Sequence, residues 1–451
     1  MFCEYLKNPL RILCIRRFPA LSGRFLALAL IIALSAGCAR MRARSILFLQ
    51  HGTRIDRPGH KAELTEQLNF PVRDNNSVEI LRSGTHVMER KYRLIAHARE
   101  SIYIEQYIFR HDIVGEMFVD ALIARAEAGV EVKVIVDRIG SLAAAHTLAR
   151  RFRGTGVEFR VHNPLLSWTL LDINNRNHQK VLIVDGQAAI VAGLGIGEEY
   201  LYWHDLGIQV EGEILYDLMR MFEYDWNAAG AGYFGDLLPL PVLGRLRNRA
   251  GDRPVGGGEY SIEDFRGVGE VRCKLLTVIP ESGNHVTFEY LVELINHATS
   301  KVYIANAYFV PNIFLRNALV DAAERGVDVR LLLPKESDLP MVRRASHVFY
   351  SRLLRNNIRI YEKDGIILHA KYLVIDGKWA SIGSININDR AFFMNHESNI
   401  LVIDRDIGRE LEQIFFDDLD HAREITYEQW RRRGVRQRLE EIMVVPSMLF
   451  Y

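Results

Sequence analysis

Apolar positions along the chain alternate between helical spacing and short unbroken runs, and the alternation occurs twice in the same order. A helix ending near Ile95 feeds the run Ile102-Tyr103-Ile104, and a helix ending near Ile295 feeds Val302-Tyr303-Ile304. Further along, the helical stretch through Ala121-Leu122 stops at Gly129 before Val130 to Val134. Its counterpart through Ala318-Leu319 stops at Gly326 before Val327 to Leu331. A glycine that ends a helix just ahead of an apolar run marks a helix-to-strand junction. The rhythm predicts two similar α/β units, over residues 77–229 and 270–451. Residues 230–269 break it with Pro239, Pro241, Pro254 and Gly256-Gly257-Gly258, which reads as a connecting segment. Within that segment Phe234 and Leu237-Leu238 either pack on a unit or touch lipid.

Reactive residues recur in register with these elements. His178, Lys180 and Asp185 precede and follow one apolar run, and His369, Lys371 and Asp376 do the same for another. A His and a Lys two residues apart on a strand share a face, so an imidazole and an ammonium reach one pocket. A phosphodiester needs its charge neutralised, a nucleophile in line with the leaving oxygen and a proton for that oxygen. Two His-Lys pairs meeting at one composite site supply all three. The Asp seven residues beyond each His either fixes an imidazole tautomer or serves the Asp-Gly turn that ends the run.

The duplicated motif, the Gly-rich tails Gly193-Leu194-Gly195 and Gly383-Ser384-Ile385-Asn386, and the runs Tyr107-Ile108-Phe109, Trp203-His204-Asp205, Tyr308-Phe309 and Asp389-Arg390 carry a family likeness. From about Ser77 onward the chain resembles the phospholipase D superfamily and, within it, the bacterial cardiolipin synthases. The resemblance implies two phospholipase D-like α/β/α lobes in one chain, with a shared active site at their interface. It implies that His178 forms a phosphohistidine, that His369 acts as general acid and base, and that Lys180, Lys371, Ser384, Asn386 and Glu397 line the pocket. It further implies phosphatidylglycerol, with phosphatidylethanolamine or cardiolipin as alternatives, as substrates at a membrane surface. Departures fall at Gly195, where the family has Asn, at Trp203-His204-Asp205-Leu206-Gly207, where W-R-D-T-H is common, and at Asn386-Ile387-Asn388-Asp389-Arg390-Ala391. None removes a reacting group, so an active enzyme with altered substrate contacts is expected.

Composition adds location. With 451 residues and 49% hydrophobic residues the chain is long enough for two cores. Residues 1–37 read as a leader with a basic start, the apolar run Phe25 to Leu34 and Ser35-Ala36-Gly37-Cys38, similar to a bacterial lipoprotein signal acylated at Cys38. An uncleaved or ordinarily cleaved signal is the alternative. A lipoprotein reading places the protein in the bacterial cell envelope, anchored to membrane and facing the periplasm. Without the leader, 52 basic residues stand against 55 acidic, a net of −3, which gives no general attraction for nucleic acid. The cluster Arg431-Arg432-Arg433 with Arg436 and Arg438 either meets anionic headgroups or is a solvated helix face. Three of the four cysteines lie in the leader, so no disulfide framework is expected. No metal cluster and no cofactor are expected either, and His285, His347 and His396 read as ordinary polar or surface residues, with a place at the pocket border as the alternative for His396, which adjoins Glu397.

Three functions remain open on these residues. A phosphatidyltransferase passes the phosphatidyl group to a lipid alcohol; a phospholipase D-type hydrolase, whether phosphodiesterase or endonuclease, passes it to water; an inert homologue binds lipid only.

Overall fold

The computed structural model describes residues 69–162, 175–229, 260–282 and 285–450. The leader with Cys38, together with Phe234, Leu237 and Leu238, lies outside the described residues. In the first lobe the strands are β1 (Val72–Leu81), β2 (Ser101–Gln106), β3 (Glu131–Asp137), β4 (Val157–His162), β5 (Arg176–Asn177), β6 (Lys180–Val184), β7 (Ala188–Ala192) and β8 (Gly207–Gly212). In the second they are β9 (Val271–Val278), β10 (Lys301–Asn306), β11 (Asp328–Pro334), β12 (Arg359–Lys363), β13 (Lys371–Ile375), β14 (Trp379–Gly383), β15 (Asn395–Ile403) and β16 (Ala422–Ile425). Principal helices are α1 (Gly84–His97), α2 (Ile113–Glu127), α3 (Ala145–Phe152), α4 (Ile214–Ala228), α5 (Val286–Asn296), α6 (Ile313–Glu324), α7 (Pro340–Arg355), α8 (Asp389–Phe393) and α9 (Arg405–Leu419).

The first lobe orders its strands β1-β8-β7-β6-β2-β3-β4, and the second orders its own β9-β15-β14-β13-β10-β11-β12, with β16 added at the edge. Antiparallel pairing of β1 with β9 fuses the two sets into one continuous sheet. The expected repeat is therefore present as two equivalent mixed sheets related about that junction. In both, helix-borne crossovers produce the parallel ladders β2-β3-β4 and β10-β11-β12. One sheet face carries a core that runs through both lobes under α4 and α9, with Leu218, Phe222, Leu411 and Phe415 against Val191, Ile208, Ile382 and Ile400. The opposite face is split, with α1 and α2 covering the first lobe and α5 to α7 the second. Near-continuous burial of β6, β7 and β13 explains why their sequences, past the leading Lys180 and Lys371, read as unbroken apolar runs.

The helix-stopping glycines behave as the pattern predicts: Gly129 and Gly326 adopt φ of 90° and 89°, where a side chain would be strained. The motif aspartates occupy a different position from the imidazoles. Asp185 and Asp376 sit at the far ends of β6 and β13 with φ of 55° and 53°, each followed by a left-handed glycine. Their carboxylates accept backbone N–H groups from Arg99, Glu100 and Ser101 in one lobe and Thr299, Ser300 and Lys301 in the other. Of the two roles open in the sequence, this is the turn role. Seven residues of extended chain span about 23 Å, far beyond hydrogen-bond reach of the imidazole. Each Asp clasps the start of the neighbouring strand and so fixes the register of the motif strand.

Burial alone would raise the Asp376 carboxyl; the backbone donors of Lys301, Thr299 and Ser300 outweigh it and hold the group at about 2. A depressed folded value means that its stabilisation is complete above about pH 4 and disappears as pH falls towards 2. Asp376→Ala is expected to lower stability by about 1–2 kcal/mol at pH 7, since the clasp is partly exposed, with the difference shrinking near pH 2. Denaturant melts of variant and wild type at both pH values decide it.

Candidate active site

A cavity of about 580 Å³ opens where the lobes meet, lined from the first by Tyr107, Arg176, His178, Lys180 and Trp203 and from the second by Tyr308, His369, Asn386 and Arg390. Its size suits one phosphodiester headgroup with part of its substituents. His178 lies between β5 and β6, and His369 just before β13. The cross-lobe bonds that hold them are reciprocal. The His178 backbone N–H donates to the His396 carbonyl at 2.9 Å, and the His369 N–H to the His204 carbonyl at 2.8 Å. His178 Nδ1 meets Glu397 Oε2 at 2.9 Å, and His369 Nδ1 meets Asp205 Oδ2 at 2.8 Å. Each imidazole is thus oriented by a carboxylate of the opposite lobe. A ring nitrogen that donates to a carboxylate carries the proton, which leaves Nε2 with its lone pair for chemistry.

Lys371 Nζ also lies 2.7 Å from His369 Nδ1, and one ring nitrogen cannot donate to Asp205 and accept from Lys371 together. With two buried cations near Asp205, the arrangement Nδ1–H to carboxylate satisfies more charge, and Lys371 then pairs with Asp205 at 3.6 Å and with the His369 carbonyl. Lys180 Nζ donates to the His178 carbonyl at 2.5 Å and faces the Tyr107 ring. Both ammonium groups are pulled down from the ordinary lysine value chiefly by burial, opposed by Glu397 for Lys180 and by Asp205 for Lys371. Burial, then Lys180 and Lys371, hold His178 well below the usual imidazole range, so it is a neutral nucleophile near neutrality. Burial and Lys371 lower His369 as well, against the pull of Asp205.

Behind each imidazole stands a second brace. His396 Nδ1 bonds Asp225 of α4 at 2.7 Å, and His204 Nε2 bonds Asp418 of α9 at 2.8 Å, so each backbone carbonyl that fixes a motif histidine is itself tied to the other lobe. His396 and His347 are buried and bonded, His347 to Glu362 at 3.2 Å, so of the two alternatives open to them the surface position is the one that does not hold. An imidazole buried beside a carboxylate gives no distinctive sequence signal.

Of the seven residues proposed around the pocket, Lys371 is buried and absent from the cavity wall, and the other six separate into two groups. His178, Lys180, His369 and Asn386 reach the cavity wall, and Asn386 Oδ1 has no hydrogen-bond partner among the described residues. Glu397 and Ser384 are fully buried behind His178 instead of lining the pocket; the Ser384 hydroxyl donates to Glu397 Oε2 at 2.6 Å and Asn395 Nδ2 to Oε1 at 3.2 Å. Burial pushes the Glu397 carboxyl up to about 7, against Lys180 and these donors. Asp205, Arg176 and Arg390 escaped the sequence reading as site residues. Asp205 was recoverable, since Trp203-His204-Asp205 stands in the first lobe where Asn395-His396-Glu397 stands in the second. At Gly195 a Cβ would meet the Ile108 carbonyl at 2.6 Å and the Tyr200 ring at 2.9 Å, so an Asn there would require both to move. Among the described residues no group of three or more His, Cys, Asp or Glu side chains is placed to hold a metal.

Comparison with known proteins agrees with the geometry. The family model described as "Cardiolipin synthase, PLD-like domain" matches residues 92–226 and again 291–419, once on each lobe. A cardiolipin synthase of Geobacillus kaustophilus is 31% identical over 381 residues, covering 82% of this chain and 72% of its own. A probable cardiolipin synthase of Bacillus subtilis is 29% identical over 382 residues, 82% of this chain and 71% of that one. The crystal structure of phosphatidylserine synthase from Haemophilus influenzae has the same fold, with a TM-score of 0.64 at 17% identity over 86% of this chain and 98% of that one. With a duplicated family match over both lobes and relatives of this identity and coverage, the chain belongs to the cardiolipin synthase family of phospholipase D-like proteins.

Proposed function

We propose that the protein is a phosphatidyltransferase of the cardiolipin synthase type, working through a phosphohistidine on His178. The observation that carries this reading is the pair of imidazoles on one cavity, each with Nδ1 engaged by a buried carboxylate and Nε2 left for the substrate. His178 Nε2 attacks phosphorus as the bond to the leaving alcohol breaks, and His369, entering this half-reaction as the imidazolium with Nδ1–H on Asp205, gives that alcohol its proton from Nε2. His369, now neutral, takes the proton of an incoming lipid hydroxyl, whose oxygen attacks phosphorus and releases His178. Lys180, Arg390 and the Asn386 amide line the cavity where the phosphoryl oxygens carry charge, and Lys371 adds its charge from a buried position beside His369. The acceptor we favour is the free hydroxyl of phosphatidylglycerol, with phosphatidylethanolamine as a further donor.

Membrane contact is supported by the apolar side chains around the cavity mouth. Ile113, Ile139 and Leu142 follow the ends of β2 and β3, and Ile313, Leu339 and Met341 follow β10 and β11; all are exposed. These are the strand ends that lead to Tyr107, Tyr308 and Asp338 in the cavity wall. The C-terminal helix Val435–Val444 also exposes Val435, Leu439, Ile442 and Met443 beside Arg436. Among the described residues no helix is long and apolar enough to cross a membrane. We assign the anchor to Cys38, acylated at the periplasmic face of the cell envelope.

Expression in cells lacking their own synthases is expected to yield cardiolipin by lipid mass spectrometry, and His178→Ala to yield none. His369→Ala should also make none, yet should still form phosphohistidine from a diester with a good leaving group, which needs no proton. Hydrolysed lipid without cardiolipin would assign the hydrolase instead.

The Glu397 carboxyl, with a folded value near 7 against about 4.3 unfolded, retains a proton in the fold that the unfolded chain loses. Its burial therefore costs stability progressively as pH rises from about 4.5 to 7, and no more above. Glu397→Gln is expected to be more stable than wild type at pH 8, equal to it near pH 4, and slower in turnover by about 100-fold or more because His178 loses its tautomer. Wild-type turnover should rise with pH through about 7 as Glu397 ionises. Melting curves and pH–rate profiles test both.

Metabolic labelling with a fatty acid should mark the wild type and leave Cys38→Ser unlabelled. An unlabelled wild type would exclude the lipid anchor.

A further inference from the structure

The cavity differs at its two imidazoles. His178 is flanked in the chain by two cations of the wall, Arg176 and Lys180. His369 is flanked by two aromatic rings, Trp203 with its centroid 5.0 Å from the imidazole and Tyr308 at 5.9 Å, and by the carboxylate that Tyr308 holds, Asp338. Asp338 Oδ2 accepts the Tyr308 hydroxyl at 2.6 Å, while Oδ1 has only the Ser337 hydroxyl at 3.3 Å. Glu199, the other acid on the wall, is paired with Arg110 at 2.7 Å; among the described residues no basic side chain pairs with Asp338.

The fold does not account for this carboxylate. The seven-residue strands β3 and β11 are equivalent, and four residues past their ends stand Ser141 and Asp338. Ser141 is buried and serves the backbone: its hydroxyl donates to the Tyr107 carbonyl at 3.0 Å and accepts the Phe109 N–H at 2.9 Å. Asp338 is exposed, its bonds go to two hydroxyls, and the start of α7 just beyond it has no side-chain cap. A solvated surface acid is the plain alternative. An acid on the wall of a phosphodiester site, however, repels the substrate unless the substrate brings a hydrogen-bond donor to it.

We infer that Asp338 determines which alcohol the site takes, by accepting a hydrogen bond from a hydroxyl or ammonium on the carbon next to the reacting one. The inference rests on the transferase reading and on His369 as its acid and base. The leaving alcohol of the first half-reaction and the attacking alcohol of the second exchange their proton with the same His369 Nε2, so both occupy the end of the cavity that holds Trp203, Tyr308 and Asp338. In phosphatidylglycerol the free secondary hydroxyl lies next to the carbon of the leaving oxygen when the lipid is donor, and next to the carbon of the attacking hydroxyl when it is acceptor. One carboxylate therefore serves both halves. Ethanolamine places its ammonium at the corresponding carbon.

The test loads the full chain from the p-nitrophenyl ester of a short-chain phosphatidic acid and lets ethylene glycol, ethanolamine and 1-propanol compete for the phosphatidyl group. The first two differ from propanol by a hydroxyl or an ammonium in place of the terminal methyl. Product ratios are read within one reaction, so the folded fraction of a variant does not enter. Wild type is expected to favour at least one of the two over propanol by about ten-fold or more per reacting hydroxyl, and Asp338→Ala to bring that ratio to within about two-fold of one. Asp338→Asn separates the sources, since it retains an acceptor for a hydroxyl but no charge for an ammonium. A wild type that takes propanol as readily, a preference that survives Asp338→Ala, or an Asp338→Ala protein that transfers to no alcohol at all would each overturn the inference. A wild type that passes the group to water alone would remove the transferase reading. The inference is then decided by hydrolysis of short-chain phosphatidylglycerol against phosphatidylpropanol, with the same ten-fold preference expected and its survival in Asp338→Ala counting against it. A wild type inert toward all three lipids would remove both.

Discussion

The structure depends on one reciprocal constraint: neither reactive imidazole can be held by its own lobe. His178 takes its tautomer from Glu397 and its backbone position from the His396 carbonyl, while His369 takes the same two supports from Asp205 and His204. The supporting histidines are in turn tied back across the junction to Asp225 and Asp418. A lobe alone would present an imidazole that rotates and a carboxylate with nothing to orient. The continuous sheet through β1 and β9, with its shared core under α4 and α9, is what fixes the two halves against each other closely enough for these bonds to close.

That constraint also explains how so many charges are tolerated under so little solvent. Lys180, Lys371, Glu397 and Asp205 are all buried, and a buried charge without a partner costs several kcal/mol. Here each cation faces a carboxylate of the other lobe or a backbone carbonyl, so the cost is offset within the site and His178 stays neutral. A bound phosphodiester adds negative charge where cations outnumber anions on the wall. Substrate binding therefore relieves an imbalance that folding alone leaves in place, and the site is arranged for charge that arrives with the reaction.

Much of this was legible in the chain. The duplicated His-Lys pair, the helix–Gly–strand rhythm and the glycines at positive φ all express local rules, and the fold follows them. The roles of Asp185 and Asp376 were decidable by length alone, because a strand that puts Lys180 and Asp185 at its two ends cannot return the carboxylate to His178. What was not legible is whatever depends on the other lobe. Glu397 and His178 are 219 residues apart and Asp205 and His369 are 164 apart, and no periodicity within either lobe points across that separation. Ser384 carries the same lesson at short range: its position in the motif is shared with pocket residues, but its hydroxyl turns inward to Glu397 because the carboxylate needs a donor more than the cavity needs a wall.

A duplication that began symmetric would give both carboxylates the same support. Yet an in-line displacement needs one histidine to attack as a neutral base and the other to donate as an acid. The Ser384 hydroxyl and the Asn395 amide donate to Glu397, whereas Gly193 and Trp203 stand in their places beside Asp205, so the symmetry breaks at the carboxylates that orient the two rings.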